Sequence, residues 1–248
     1  MSRIARLYFT TLYYLSWLIF AVVGLGLNAL CLVLLLFPHR KARAAGVRAL
    51  IRGCFDLWLR WLHATRVVSV EWRGFDGPLP RGTVYIANHP TLVDATFLLA
   101  RLPDAVCIFK PALMRNPAIG PAAIMAGYTA GDTGIDLIRE TAAKIAAGQS
   151  LLIFPEGTRT GPGEILGPLR PGFALIASRA AAPVQLVVIR STPELAARGR
   201  PWWKPPAILP GRVELTLDHR WEHDPARHAT ELTAEVEQRL SAVLAPSS

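Results

Sequence analysis

A histidine and a carboxylate, His89 and Asp94, stand in the stretch Asn88-His89-Pro90-Thr91-Leu92-Val93-Asp94. Imidazole is suited to taking a proton near neutral pH, and a carboxylate on one ring nitrogen fixes the tautomer that leaves the other basic. Held by a tight turn, such a pair makes a general base and its orienter. The flanking residues predict that turn. Thr83-Val84-Tyr85-Ile86-Ala87 is an apolar run of strand length, and residues 95–102 have helical character, so His89 falls where a buried strand opens. Pro90 blocks an earlier helix start, and Asp94 falls in the first helical turn, where the helix dipole favours a carboxylate.

A lone His-x4-Asp is a weak signal. A second segment, Phe154-Pro155-Glu156-Gly157-Thr158-Arg159, also closes a strand-like run, Ser150-Leu151-Leu152-Ile153-Phe154. Gly157 permits close approach of backbone, and Arg159 has the geometry to hold a phosphate through two parallel hydrogen bonds. In this order the two segments resemble the glycerolipid (lysophospholipid) acyltransferase family, whose pattern is NHxxxxD followed downstream by FPEGTR. The resemblance covers roughly Arg66 to Arg190. It implies transfer of a fatty acyl group from an acyl carrier protein or coenzyme A thioester to a lipid hydroxyl, such as that of 1-acylglycerol-3-phosphate. It also implies that His89 is the base, Asp94 its partner, and Asn88, Lys110, Glu156, Gly157, Thr158 and Arg159 the substrate-binding residues. A thiolate leaves readily, so the chemistry needs no covalent enzyme intermediate, no metal and no cofactor beyond the thioester co-substrate.

One family element departs from pattern. Many members carry a segment G-x-[IV]-F-x-x-R whose arginine helps hold the acceptor phosphate. Here the corresponding stretch is Gly127-Tyr128-Thr129-Ala130-Gly131-Asp132-Thr133, without an arginine and with Asp132 set to repel a phosphate. Lys110 and Arg115 lie upstream and supply some positive charge. A different lipid acceptor, such as an amino-acid lipid or a glycolipid, therefore stands beside lysophosphatidate. A thioester hydrolase and a non-catalytic lipid-binding protein are further alternatives. The family's last element, a proline-containing apolar strand, is matched loosely by 182–188, where Gln185 is expected to face the site or a loop.

The elements that must position these residues alternate along the chain. Strand-like runs at 67–72, 83–87, 105–109, 150–154, 184–189 and 213–217 are interleaved with helical runs at 95–102, 135–147, 173–180 and 230–244. Residues 111–121 are irregular, with one helical turn. Short strands alternating with helices predict an α/β domain, with a mixed central sheet flanked by helices, over residues 66–248.

Residues 1–65 are expected to be a membrane anchor of one hydrophobic and one amphipathic helix. Leu12 to Phe37 carries no charge and is about 39 Å long if helical, enough to cross a hydrocarbon core. It is too long for the core of a secretory signal and lacks a small-residue cleavage site. Gly24, Gly26 and Asn28 interrupt it, leaving a single tilted helix and a hairpin of two short helices both open. From Lys41 to His63, Val47, Ile51, Phe55, Trp58 and Trp61 form one apolar stripe, with Arg48, Arg52 and Arg60 outside it. This reads as a helix lying in the bilayer interface, with a core-packed helix as the alternative. Trp202 and Trp203, in the proline-rich stretch 198–210, are placed to touch the same membrane.

The charge balance agrees. The formal net charge is +9, and Arg3, Arg6, Arg40, Lys41, Arg43, Arg48, Arg52, Arg60 and Arg66 face Asp56 alone in the first 66 residues. Anionic lipid headgroups fit this distribution, and no basic and aromatic nucleic-acid module accompanies it. Cations following the apolar run predict a main domain on the cytoplasmic face, and the family resemblance implies a bacterial inner-membrane protein. Cys31, Cys54 and Cys107 read as reduced, small hydrophobes. His219, His223 and His228 lie near Glu222 and Asp224 but lack a companion ligand motif, so no metal is expected.

Overall fold

The computed structural model describes residues 2–131, 134–193, 195–196, 198–206 and 208–245. Two long helices come first, α1 (Arg3–Leu34) and α2 (Arg40–Thr65). They are followed by β1 (Val68–Arg73), β2 (Val84–Ala87), α3 (Asp94–Arg101), β3 (Ala105–Phe109), α4 (Pro111–Met114), α5 (Gly120–Met125) and β4 (Thr129–Ala130). The chain continues through α6 (Ile135–Ala146), β5 (Ser150–Ile153), α7 (Gly172–Ala180), β6 (Val184–Thr192), β7 (Gly211–Trp221) and α8 (Ala229–Leu244).

The seven strands form one sheet in the order β1-β7-β6-β2-β5-β3-β4. Neighbours from β6 to β4 run parallel, β6 and β7 pair antiparallel, and β1 returns parallel to β7. The expected mixed sheet flanked by helices is therefore present. The central strands are apolar without alternation because both faces are covered. All four residues of β2 are buried, as are Leu151, Leu152, Leu186, Val187 and Val188 on its neighbours. Parallel pairing points the carboxyl ends of β2, β5, β3 and β6 to the same side, where open α/β sheets hold their ligands.

Two short helices, α4 and α5, occupy the stretch expected to be irregular, each with a proline in its first turn, where the missing N–H costs nothing. The two-residue β4 was not foreseen. Only Thr129 and Ala130 pair with Ile108 and Phe109, too short a run to leave a period. Gln185 does not face the site. It lies at the opposite end of β6, next to an irregularity in the pairing with β7, and its amide donates to the carbonyls of Leu186 and His219.

The N-terminal apolar run is one continuous helix of 32 residues, not a hairpin. It is long and apolar enough to cross a membrane, with only 11% of its most hydrophobic window buried. It is also tied to the rest of the protein along its length. The Tyr13 hydroxyl donates to the Trp202 carbonyl, Trp58 Nε1 to the Ser16 carbonyl and Trp61 Nε1 to Ser16 Oγ. Asn28, read as an interruption, is a docking point: its Oδ1 accepts from the Ala122 N–H of α5 while its amide satisfies the Gly24 carbonyl.

Helix α2 departs from the interfacial reading. Its apolar stripe is spent inside the protein, with Val47, Ile51, Trp58, Leu59 and Leu62 buried and Trp58 against Phe20 of α1 and Phe97 of α3. Arg48 lies inside too: its Nε is 2.6 Å from Asp104 Oδ1 and its Nη1 donates to the Ala126 carbonyl. An arginine outside an apolar stripe reads as solvated until tertiary structure supplies a buried carboxylate.

Candidate active site

The site forms at the carboxyl ends of β2, β5 and β6. His89 leaves β2 two residues past its end, and Asp94 opens α3. His89 Nδ1 lies 2.8 Å from Asp94 Oδ2. The same carboxylate accepts the Thr91 N–H at 2.7 Å and the Thr91 hydroxyl at 2.5 Å. Burial pushes the Asp94 carboxyl above its ordinary value, while the contacts from His89 and Thr91 pull it back. Thr91 presents two donors to Asp94, and an ionised carboxylate accepts both and the Nδ1–H as well. This fixes the proton on Nδ1 and leaves the Nε2 lone pair as the acceptor.

The imidazole is held from its face as well. Phe154 stacks on it with ring centroids 4.0 Å apart at 17°. With one edge on Asp94 and one face on Phe154, the ring has few orientations left, and its side chain is 18% exposed. A base so constrained meets its substrate in one geometry.

Residues expected to bind substrate divide into two groups. Asn88 and Glu156 are turned inward, contrary to the sequence reading. Asn88 is buried, and its amide exchanges two 2.8 Å hydrogen bonds with the backbone of Ile189, stitching the end of β2 to β6 beyond the last ladder pair. Glu156 is 4% exposed, and its carboxylate accepts from the His89 N–H at 2.8 Å, the Gly167 N–H at 2.9 Å and the Thr160 hydroxyl at 3.0 Å. The Thr160 N–H in turn donates to the His89 carbonyl. The second motif thus clasps the histidine's backbone on both sides. A Cβ on Gly167 would come within 2.9 Å of Glu156 Oε2, so a larger residue there would require the carboxylate to shift.

Gly157, Thr158, Arg159 and Lys110 stay at the surface of the site. The turn at Phe154–Gly157 closes with a 2.9 Å backbone bond, and Gly157 has φ +66°, which favours glycine. Gly157 and Thr158 are exposed. Arg159 is half-buried, and its Nη1 donates to the Ala196 carbonyl at 2.7 Å. Lys110 is exposed at the end of β3, two strand spacings or about 10 Å across the sheet from β2.

One residue escaped the sequence reading. Arg170 lies across Gly157, close enough that a Cβ there would stand 3.2 Å from its Cζ. It is exposed and pairs with no carboxylate among the described residues. Its signal was present but faint: a cation in the loop after β5, on the ligand side of the sheet, just before α7. The exposed turn therefore has the Arg170 guanidinium over Gly157, with Arg159 two residues further along the chain. The stretch read as lacking its arginine is described from Gly127 to Gly131, while Asp132 and Thr133 lie outside the described residues.

Burial pushes the Cys107 thiol up to about 12 and raises Cys54 as well, so neither is a ready nucleophile. His219 packs edge-on against Trp221, and the His228 backbone N–H donates to the Glu231 carboxylate in the capping box of α8.

Comparison with known proteins gives this geometry a family. Residues 76–190 match the family described as Acyltransferase. A 1-acyl-sn-glycerol-3-phosphate acyltransferase of Cocos nucifera is 26% identical over 226 residues, covering 88% of this chain and 70% of that one. A protein of the same description from Limnanthes alba is 25% identical over 186 residues, covering 72% of this chain and 63% of that one. The crystal structure of the 1-acyl-sn-glycerophosphate (LPA) acyltransferase PlsC from Thermotoga maritima superposes with a TM-score of 0.73 over all of both chains, at 22% identity, and so shares the fold. The segment that matches the acyltransferase family, residues 76–190, is the one that joins the His89–Asp94 turn to the Phe154–Arg159 clasp.

Proposed function

We propose that the protein is an O-acyltransferase that moves a fatty acyl group from an acyl thioester to the free hydroxyl of 1-acylglycerol-3-phosphate at a membrane surface. The observation that carries this reading is the His89–Asp94 contact at 2.8 Å, with the ring stacked on Phe154 and Nε2 left without a protein partner among the described residues. His89 Nε2 takes the proton of the lipid hydroxyl as its oxygen attacks the thioester carbonyl carbon. The carbon–sulfur bond then breaks, and the proton passes from Nε2 to the leaving sulfur. Asp94 stabilises the imidazolium formed between those two transfers. Asn88 and Glu156 act through His89 as positioning residues.

Arg170 over the Gly157 turn and Arg159 just after it in the chain favour a phosphate-bearing acceptor, with Lys110 adding charge from β3. The names of the relatives point to the same acceptor. Acyl carrier protein and coenzyme A remain equivalent as donors at this site, since both present the same thioester.

The N-terminal region supports a membrane location, which we place on the cytoplasmic face of a bacterial inner membrane. Leu18, Val22, Leu25, Leu32 and Val33 of α1 are exposed, a larger apolar surface than a soluble monomer carries. Because α1 is tied to the domain from Tyr13 to Asn28, about 22 Å of helix, crossing the bilayer would draw charged surface into hydrocarbon. The helix therefore lies along one leaflet. An apolar groove of about 450 Å³ between α1 and α2, lined by Phe20, Val23, Leu27, Phe55 and Trp61, has room for a lipid chain.

The test is incubation of purified protein with a labelled acyl thioester and a panel of acceptors, read by mass spectrometry of the products. Labelled phosphatidate that disappears in His89→Ala supports the reading. Product from an acceptor without phosphate moves the assignment to another lipid, and free fatty acid alone makes the protein a thioester hydrolase.

A further inference from the structure

The connection between β6 and β7 holds features that acyl transfer does not explain. Trp202 and Trp203 sit on a turn closed by the Lys204 N–H on the Pro201 carbonyl, and the two indoles are 46% and 54% exposed. Ile208, further along, is 63% exposed. Indoles are expensive to leave in water, and nothing in the turn covers them.

These rings belong to a connected ladder. Trp203 meets Trp202 edge-on at 5.7 Å, Trp202 meets Trp17 of α1 at 5.1 Å, Trp17 meets Tyr13 at 6.3 Å, and Tyr13 meets Tyr14 at 5.7 Å. The Tyr13 hydroxyl fixes the join by donating to the Trp202 carbonyl at 2.6 Å. A run of Trp and Tyr at one level along an apolar helix is the composition of a membrane–water boundary. The charge around it has the matching sign, with Arg198, Arg200 and Lys204 beside the indoles and Arg3 and Arg6 at the start of α1. The loop is also stiff, carrying Pro201, Pro205 and Pro206, with Arg200 Nη2 bracing the Pro205 carbonyl at 2.7 Å. Little conformational freedom is lost when such a loop inserts.

The other end of the same loop reaches the site. Leu195 and Ala196 are buried at its base, and the Ala196 carbonyl is the acceptor for Arg159. One segment therefore links an aromatic boundary to the turn that faces substrate.

We propose that the β6–β7 loop is a second membrane-contact element, which inserts Trp203 and Ile208 beside Trp202 into the headgroup layer of an anionic bilayer and sets the mouth of the site at that depth. The proposal rests on reading the chain as a lipid acyltransferase only for the purpose of the contact; the contact itself is tested without acyl donor. Vesicles of phosphatidylcholine and brominated phosphatidylglycerol are added to the full-length protein and to Trp202→Phe/Trp203→Phe, and the difference spectrum isolates the two loop indoles. We expect that signal to shift to the blue and to be quenched by bromine. Trp203→Ser/Ile208→Ser, both at exposed positions, should lower vesicle partitioning about tenfold while its thermal melt matches that of the parent. Trp203→Phe should restore most of the loss. Loop indoles that stay unquenched on bound protein overturn the proposal, as does unchanged partitioning of the serine variant. A change in oligomeric mass in that variant without quenching assigns the patch to a protein partner instead. Quenching in a protein that transfers no acyl group would sink the proposed activity and leave the contact standing.

Discussion

The two ends of the sheet hold two clusters of ionisable groups built on the same principle and put to opposite ends. At the carboxyl ends, Asp94 and Glu156 receive donors from Thr91, Thr160, Gly167 and the histidine, and His89 Nε2 is left over. At the other end, Asp104 receives Arg48 Nε at 2.6 Å and Arg81 Nη2 at 2.5 Å, and Arg48 spends its Nη1 on the Ala126 carbonyl. The second cluster ties α2 to the start of β3. Buried charge by itself therefore does not mark an active site. What marks it is a fully satisfied scaffold around one atom with open valence, facing an opening.

Removing that atom should have the largest effect. His89→Ala is expected to lower acyl transfer by about 10³-fold or more while the protein still folds, checked by product formation and a thermal melt. Transfer at near-parental rate would erase the difference between the two clusters. Asp94→Asn comes next, at roughly 10²-fold or more, because an amide presenting its NH₂ to Nδ1 reverses the tautomer and puts the proton on Nε2. A pH–rate profile with unchanged amplitude would deny Asp94 that role.

Arg170→Ala sharpens the comparison from the substrate side. Loss of a charge-assisted hydrogen bond of about 1.5–3 kcal/mol predicts a drop of roughly 10- to 100-fold in kcat/KM with a phosphate-bearing acceptor. The same variant should act normally on an uncharged monoacylglycerol if that is accepted at all, and an equal loss on both would remove Arg170 from phosphate recognition. Glu156→Gln tests the clasp. An amide cannot accept from His89, Thr160 and Gly167 together, so the melting temperature and kcat should fall jointly, while KM for the acceptor moves little. A change confined to KM would return Glu156 to the substrate side.

The smallest effect belongs to the far cluster and concerns stability alone. Burial would raise the Asp104 carboxyl, but Arg48 and Arg81 outweigh it and hold the group below its ordinary value. A carboxyl depressed on folding adds stability that is fully present above its unfolded pKa, near 3.9, and is lost as pH falls through the folded value. Asp104→Asn keeps a side chain tolerant of the φ of +47° found there and removes only the charge. It should cost on the order of 2 kcal/mol at pH 7, less than a fully buried pair because Asp104 is partly exposed. Thermal melts at pH 7 and pH 3 should show the gap between parent and variant narrowing in acid, with acyl transfer at pH 7 unaffected. A loss of turnover in the variant would mean that the two clusters are coupled.

Much of this molecule is legible in the chain. The periods of 105–109, 135–147 and 230–244 place β3, α6 and α8 within a residue or two of their ends, because long amphipathic or fully apolar runs leave only one way to bury themselves. His89 and Asp94 were legible because a single turn joins them, so their meeting depends on local geometry. Gly157 and Arg159 were singled out by the resemblance of their segment to a family motif, since alone it reads as a turn with a solvated charge. What the sequence could not reveal is how distant groups are spent. Asn88 and Glu156 stand in the two motifs and resemble substrate ligands, yet Ile189, far along the chain from Asn88, and His89, far from Glu156, decide that they face inward. Arg48 looked solvated until Asp104 met it, and the indole of Trp58 looked free for lipid until α1 and α3 covered it. Arg170 gained meaning only when the loop after β5 folded back over Gly157. The type of chemistry is set by which residues stand in a row. Which side chains scaffold it and which face the substrate is settled by hydrogen bonds across large sequence separations, where a buried donor or acceptor must find its partner.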